Sequence, residues 1–265
     1  LTAMVGFWAT LALNIPDFTR FARTQRDQIL GQTIGLPVPM GLLAMLAVIV
    51  TSATVVLYGK AIWDPVDLAS RMTGIAVLVA LLILMIDTVS VNLAANLVGP
   101  AYDFSALSPK KISYRTGGYI TALIAIAMMP WKILESTDGY IFTWLIGYSA
   151  LLGPIAGILM ADYYLVRKTR LNVDQLYRRN GLYAYWRGWN MAALVALIVG
   201  VAPNVPGFLN AAFPDYFSDI SDIFKLIYTY AWFVGLALSG LLYLLLMPLT
   251  GHLSLIKNRA DFGDT

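Results

Sequence analysis

The chain has 265 residues, of which 59% are hydrophobic and 12% charged, with a mean hydropathy of +0.71. A soluble globular domain carries roughly 25% charged residues, so half that share cannot coat a water-facing surface, and composition alone points to a membrane protein. Cysteine is absent and His252 is the single histidine, which excludes a disulfide scaffold, a thiolate metal site and a multi-histidine metal centre. The net charge of +3 and the pI near 9.0 have a topological explanation, given below, that needs no nucleic-acid partner.

The sequence opens on Leu1 with an apolar stretch already under way. Neither a basic n-region nor a small-residue cleavage site precedes that stretch, so a secretory signal is not expected, and the chain reads as the downstream part of a longer one. A spanning helix needs about 20 mostly apolar residues. Seven stretches qualify: 1–18, 34–59, 75–104, 117–131, 139–166, 189–203 and 223–248. No soluble domain fits in the connections between them.

The first stretch holds Gly6-Phe7-Trp8-Ala9-Thr10 and then Asn14-Ile15-Pro16-Asp17, a pattern that suits a helix broken near its middle, with free backbone groups at the bilayer midplane. Trp8 sits near the bilayer centre, where it either packs or stacks on a flat ligand. Asp17, near the inner end, is spaced to pair with Arg20 at i+3. After the second span, Trp63–Thr73 suits a short outer-surface helix with Asp64 near its cap, and Asp27–Ile34 suits a similar one inside. The third span carries Asp87 near its middle with no base nearby in sequence. A mid-membrane charge costs at least ~2.5 kcal/mol and so faces a cavity, a partner or a proton path. Asp87 opens a polar stripe through Thr88, Ser90, Asn92 and Asn96. Small and hydroxylated residues there suit a helix–helix seam, but two carboxamides need matched partners, and Asn96 is a candidate hydrogen-bonding group for a polar ligand. In the fifth span Ser149, Gly153 and Gly157 make a close-packing seam with a kink at Pro154, and Gly235–Gly240 is similar. Asp162 lies close to Arg167 and Lys168 at the end of that span, a structural position at the rim.

Orientation follows the Lys and Arg distribution. Arg20, Arg23 and Arg26, then Lys110, Lys111 and Arg115, then Arg167, Lys168, Arg170, Arg178, Arg179 and Arg187, and finally Lys257 and Arg259 fall on one side. That is fourteen of the eighteen bases. Lys60, Arg71, Lys132 and Lys225 fall on the other, with Asp64, Asp67, Glu135, Asp138, Asp215, Asp219 and Asp222. The first set is expected in the cytoplasm, with the C-terminus. Trp63, Trp131, Trp186 and Trp189 fall at span ends, as interfacial belts do. No Walker, Rossmann, zincin or GxSxG motif occurs, and no Ser-His pair has a carboxylate in register, so the visible chemistry is binding. A channel would line several helices continuously with polar residues, whereas here they cluster at one depth. A membrane-embedded enzyme would need more than Asp87 with Asn92. A truncated part of a larger protein, without activity of its own, is a further reading.

These motifs resemble the nucleobase–cation symporter family, which includes carriers of cytosine, uracil, allantoin and hydantoins. The resemblance rests on Gly6 to Thr10 with Asn14 to Arg20, on Asn92 to Asn96 with Gly99-Pro100-Ala101-Tyr102-Asp103, and on Met128-Met129-Pro130-Trp131. Leu152 to Gly157, Asp162 to Arg167 and Asp174-Gln175-Leu176-Tyr177 add to it. It implies an all-α polytopic membrane protein with a LeuT-like fold, in which two inverted five-helix repeats precede two extra helices. The chain would then supply the second inverted repeat (helices 6–10) in residues 1–166, the cytoplasmic loop and helices 11–12 in 167–248, and a cytoplasmic tail in 249–265. Its partners would be the missing N-terminal helices, the lipid bilayer and a small heterocycle, in a complete protein that is a monomer of the plasma membrane.

By the same resemblance, Gly6, Phe7 and Trp8 line the substrate site with an aromatic platform, while Asn96 and Asn92 hydrogen-bond the ring. The hydantoin-carrying branch has Gly in place of Phe7, which counts against a hydantoin substrate here. Sodium-dependent members use a carbonyl and two adjacent hydroxyls of this helix, corresponding to Asp87, Ser90 and Val91. Val91 has no hydroxyl, so a Na⁺ site would be partial, and Asp87 is expected either to bind a proton instead or to restore charge to the weakened site. The coupling ion is thus Na⁺ or H⁺, with no other cofactor.

Overall fold

The computed structural model describes residues 1–133, 139–178 and 180–251. The expectations for Glu135, Asp138, Arg179, His252, Lys257 and Arg259, and for the tail from 252 on, lie outside the described residues. In chain order the helices are α1 (Thr2–Thr19), α2 (Gln25–Gly35), α3 (Pro37–Tyr58), α4 (Pro65–Ser70), α5 (Ile75–Asn92), α6 (Val98–Leu107), α7 (Tyr114–Ala127) and α8 (Pro130–Ile133). They continue as α9 (Ile146–Met160), α10 (Val173–Leu176), α11 (Met191–Val201), α12 (Val205–Ala212), α13 (Asp222–Thr229) and α14 (Ala231–Leu246). π-Helical turns at Leu93–Leu97, Gly139–Leu145 and Ala161–Val166 are continuous with α5–α6, α9 and the end of α9.

Five helical stretches among the described residues are long and apolar enough to cross a membrane: Gln25–Tyr58, Ile75–Leu107, Gly139–Val166, Met191–Ala212 and Ala231–Thr250. The expected fourth span falls short of that measure, since α7 has 14 residues, and the first span corresponds to α1, of 18 residues. The sixth span is longer than expected, because Pro203 and Pro206 sit at first-turn positions, where a missing N–H costs a helix nothing, and the helix resumes through α12. The seventh is divided at Tyr230 (φ −107°, ψ 27°), which separates α13 from α14. Nor is α1 broken: it runs continuously from Thr2 to Thr19 with Pro16 inside it. Gly6 serves close packing instead, since a Cβ there would meet the Leu145 carbonyl at 2.6 Å and collide with the Ser149 hydroxyl.

The chain forms two compact units, Leu1–Leu13 with Met129–Thr265, and Asn14–Met128. In the first, α9 and α14 pack backbone to backbone. A Cβ on Gly153 would lie 2.5 Å from the Trp232 carbonyl, one on Gly235 2.6 Å from Pro154 Cδ, and one on Gly157 against the Leu236 carbonyl. The Ser239 hydroxyl, fully buried, donates to the Pro154 carbonyl at 2.8 Å. α11 closes on the same seam, where a Cβ on Gly200 would meet Ser239 Cβ at 2.8 Å. Val5, Ala9 and Leu13, at i, i+4 and i+8 of α1, join Leu152, Ala156 and Trp232 in one apolar cluster, as helical periodicity requires.

In the second unit, α6 and α7 approach closely at Gly117, where a Cβ would lie 2.5 Å from the Ala101 carbonyl. Gly59 (φ 71°) ends α3 in the left-handed region that glycine tolerates, and its N–H bonds the Val55 carbonyl at 2.9 Å. The expected outer helix is α4, capped by Asp64, whose carboxylate accepts from Val66 N at 2.7 Å. It is tied to α3 through buried Thr54, whose hydroxyl accepts from Ile62 N at 2.9 Å. The expected inner helix is α2, capped by Thr24.

Filling the α9–α14 seam forces two backbones apart. Gly157→Val is expected to destabilise by about 1–3 kcal/mol or more, the cost of overpacking a close contact. Gly118→Ala, with nothing within 4 Å of its Cβ, is expected to melt like wild type. Thermal unfolding in detergent, followed by circular dichroism, separates the two.

Candidate functional site

The residues singled out by sequence fall into two groups, one in each unit. Gly6, Phe7 and Trp8 belong to the unit built on α9 and α14. The buried stripe of α1 runs through Thr2, Gly6 and Ala9, so Phe7 projects elsewhere and is 50% exposed, while Trp8 is half-buried. Their rings meet edge to face, with centroids 5.3 Å apart at 79°, and neither is among the residues packed in the Ala9 cluster. An aromatic pair outside the core offers a ring face to a planar partner.

Asp87, Ser90, Asn92 and Asn96 lie along α5 and its π turn, and all four are exposed. The most apolar part of the span that carries them, Ile75–Leu107, has no buried residue. Asn96 lies in the π turn and donates its Nδ2 to Asn92 Oδ1 at 2.6 Å. Extra-residue turns of this kind occur often at functional sites. Among the described residues Asp87 has no ion-pair partner.

Asp17 does not pair with Arg20 among the described ion pairs. The Arg20 guanidinium instead lies over the Tyr102 ring at 4.4 Å and the Phe21 ring at 4.9 Å, a cation–π arrangement that removes it from the carboxylate. Asn14 packs against Gly99, where any Cβ would strike its amide.

Asp162 is ion-paired with Arg167, whose side chain is 3% exposed. Tyr243 donates its hydroxyl to the other carboxylate oxygen, Oδ1, at 2.6 Å, and Arg167 Nη2 donates to Tyr185 Oη at 2.6 Å. Burial pushes the Tyr185 phenol above its ordinary pKa, with Arg167 beside it pulling the other way. Tyr185 and Tyr243 were missed by sequence reasoning because their partners lie 18 and 81 positions away.

Sequence reasoning also missed a cavity of about 620 Å³ in the α9–α14 unit. Its walls include Trp144 and Tyr148, stacked 5° from parallel with centroids 6.2 Å apart, together with Phe208 and buried Asn204. Among the described residues no group of three or more His, Cys, Asp or Glu side chains is placed to hold a metal ion. Among the described residues one unit offers aromatic faces, and the other carboxamides and the Asp87 carboxylate.

The sequence profile of the family described as "Permease for cytosine/purines, uracil, thiamine, allantoin" matches residues 1–235. The purine-uracil permease NCS1 of Arabidopsis thaliana is 45% identical over 255 residues, which cover 95% of this chain and 42% of that protein. The allantoin permease of Bacillus subtilis (strain 168) is 45% identical over 249 residues, covering 93% and 48%. The chain thus spans under half the length of these two curated relatives. Among solved structures, Mhp1, a nucleobase-cation-symport-1 family transporter in a closed conformation with bromovinylhydantoin bound, aligns with a TM-score of 0.55 at 31% identity, covering 75% of this chain and 39% of that one. The chain therefore belongs to the nucleobase–cation symporter family of permeases, as an integral, multi-pass, all-α membrane protein of the LeuT-like fold.

Proposed function

We propose that the chain forms the second inverted repeat (helices 6–10) and helices 11–12 of a secondary active symporter, which imports a planar nucleobase or a related heterocycle by alternating access. One observation carries the reading: the self-paired carboxamides Asn92 and Asn96 and the unpaired Asp87 line an otherwise apolar span that this chain leaves uncovered. Lipid cannot satisfy such groups; a heterocycle, a coupling ion and further helices of the same protein can. The length of the curated relatives supports those further helices. The fourteen bases on alternating connections support a plasma-membrane orientation with the C-terminus inside.

In this reading Phe7 and Trp8 stack on the ring, and the Asn96–Asn92 pair recognises its edge. The pair's bond spends one Asn96 N–H and one lone pair of Asn92 Oδ1, leaving Asn96 Oδ1 as an acceptor and the Asn92 amide N–H groups as donors free of the pair for the ligand. A ring amide, with its N–H donor and carbonyl acceptor, is the complementary edge. Ser90 contributes to a partial Na⁺ site, or Asp87 carries the proton in its place.

Radiolabelled uptake of uracil, allantoin, cytosine and hydantoin by cells expressing the full-length protein tests this, with and without Na⁺. Asn96→Ala is expected to lower uptake about tenfold or more through loss of an amide-edge hydrogen bond, and Trp8→Ala to do likewise while Trp8→Phe keeps part of the activity. Unchanged uptake in Asn96→Ala would remove the proposed pocket.

Coupling has its own test. Asp87→Asn is expected to abolish the pH dependence of uptake if the acid carries the proton, or to raise the Na⁺ concentration needed if it supports a sodium site. Uptake equally sodium-dependent and pH-indifferent in wild type and Asp87→Asn overturns both roles.

A further inference from the structure

The segment between α9 and α11 joins the stretches Gly139–Val166 and Met191–Ala212, so it lies at a membrane surface, and it is folded rather than slack. Arg167, buried against Asp162, reaches across to Tyr185 Oη at 2.6 Å and lies under the Tyr183 ring at 4.5 Å. Tyr183 Oη accepts the Asn172 N–H at 3.0 Å, which ties the two limbs of the segment together a second time. Asn190 donates to Tyr243 Oη at 3.3 Å and caps α11 through Ala193 N at 3.2 Å. Lys168, Thr169, Tyr185 and Arg187 all have positive φ, from 46° to 64°, a backbone that non-glycine residues adopt only where the surroundings hold it.

This scaffold brings the two limbs together and turns bases outward. Lys168 follows Arg167, Arg187 lies two residues past Tyr185, and Arg170 lies two before Asn172. Lys168, Arg170, Arg178 and Arg187 are all exposed, and among the described residues none of them is ion-paired. Asp174 is the one acid between Arg167 and Asn190. Beside the bases stand Trp186 and Trp189, 60% and 62% exposed and bridged to each other, with Arg187 over the Trp186 ring at 5.2 Å. Indoles at that level partition into the headgroup layer, and clustered bases immediately beside a span attract anionic lipid within a Debye length.

We propose that the folded segment from Lys168 to Trp189 is a docking surface for anionic phospholipid headgroups. Lys168, Arg170, Arg178 and Arg187 supply the charge, and Trp186 and Trp189 supply the interfacial anchor. The buried Asp162–Arg167 pair is its positioning element. The ligand is the lipid phosphate, held by bases each contributing about fivefold to retention, and the surface acts independently of what the permease carries.

Hydrogen–deuterium exchange of the full-length protein in nanodiscs tests it, comparing phosphatidylcholine alone with an equal mixture of phosphatidylcholine and phosphatidylglycerol. Peptides covering 168–190 are expected to exchange at least several-fold more slowly in the anionic discs, and high salt is expected to remove the difference. The combined variant K168Q, R170Q, R178Q and R187Q should lose that protection while peptides of α9 and α14 keep wild-type exchange, which shows that the fold is intact. A control variant, K110Q with K111Q and R115Q, should retain it. Equal exchange of wild type in the two lipids overturns the proposal, as does protection that survives in the combined Gln variant.

Discussion

The close approach of α9 and α14 is the constraint on which the rest of their unit depends. Two spanning helices gain nothing in lipid from hydrophobic burial alone, because acyl chains are as apolar as leucine; they associate through backbone proximity and interhelical hydrogen bonds. Gly153, Gly157 and Gly235 allow the proximity, and Ser239 supplies the bond. Pro154 adds to it in a specific way. Its missing N–H leaves a carbonyl one turn back without a helical partner, and its own carbonyl takes the Ser239 hydroxyl. The Pro154 turn of α9 is thus locked to α14 within the seam where their backbones approach. α11 and the first half of α1 then settle on the grooves that remain, through Ala196 against Tyr243 and Ala9 against Trp232.

In the other unit the close approach is confined to α6 and α7 among the described residues, and the consequence is visible in burial. Of the apolar window in Gly139–Val166, 56% is buried, against 6% in Gln25–Tyr58 and none in Ile75–Leu107. An apolar face left uncovered costs nothing in a bilayer. A polar stripe does, because the carboxamides of Asn92 and Asn96 and the carboxylate of Asp87 have no water to turn to there. The same span therefore carries two kinds of surface: one that lipid satisfies, and one that only protein, ligand or ion satisfies.

Much of this was legible in the sequence because it depends on local spacing. Hydropathy located the long spans, the i, i+4, i+8 run of Ser149, Gly153 and Gly157 marked the seam, and Asp64 announced its own cap. What escaped depended on contacts between distant residues. The Gly6 and Pro16 pattern suggested a break in α1, but glycine serves close packing as readily as it breaks a helix, and only the Leu145 carbonyl opposite Gly6 shows which use is made of it. The i+3 spacing of Asp17 and Arg20 suggested an ion pair, but a ring 82 positions away, Tyr102, took the guanidinium. For Asp162 the spacing did point to Arg167. Nothing in it announced Tyr243 and Tyr185, which turn a surface pair into a buried network. The two candidate groups, around Trp8 and around Asn96, were each readable from residue type, since aromatic and carboxamide side chains at membrane depth are conspicuous.

Under the proposed function, the Asn92–Asn96 bond sharpens what the carboxamides would select. A free asparagine presents a donor and an acceptor on a rotatable amide and accepts either orientation of a ring. Once Asn96 Nδ2 is held by Asn92 Oδ1 at 2.6 Å, exchanging the amide oxygen and nitrogen of one residue alone would set donor against donor or acceptor against acceptor, so the two orientations are coupled. The π turn matters here because it alters the register of Asn96 relative to the turn before it and presents the pair as one element. An acceptor beside a donor distinguishes a ring edge that offers N–H next to C=O from one that offers two acceptors, and the wrong edge leaves polar groups unpaired at a cost of about 1–3 kcal/mol each. In the proposed site, stacking on Trp8 or Phe7 would select for planarity and be indifferent to the edge. Discrimination among flat heterocycles of similar size would therefore rest with the carboxamide pair.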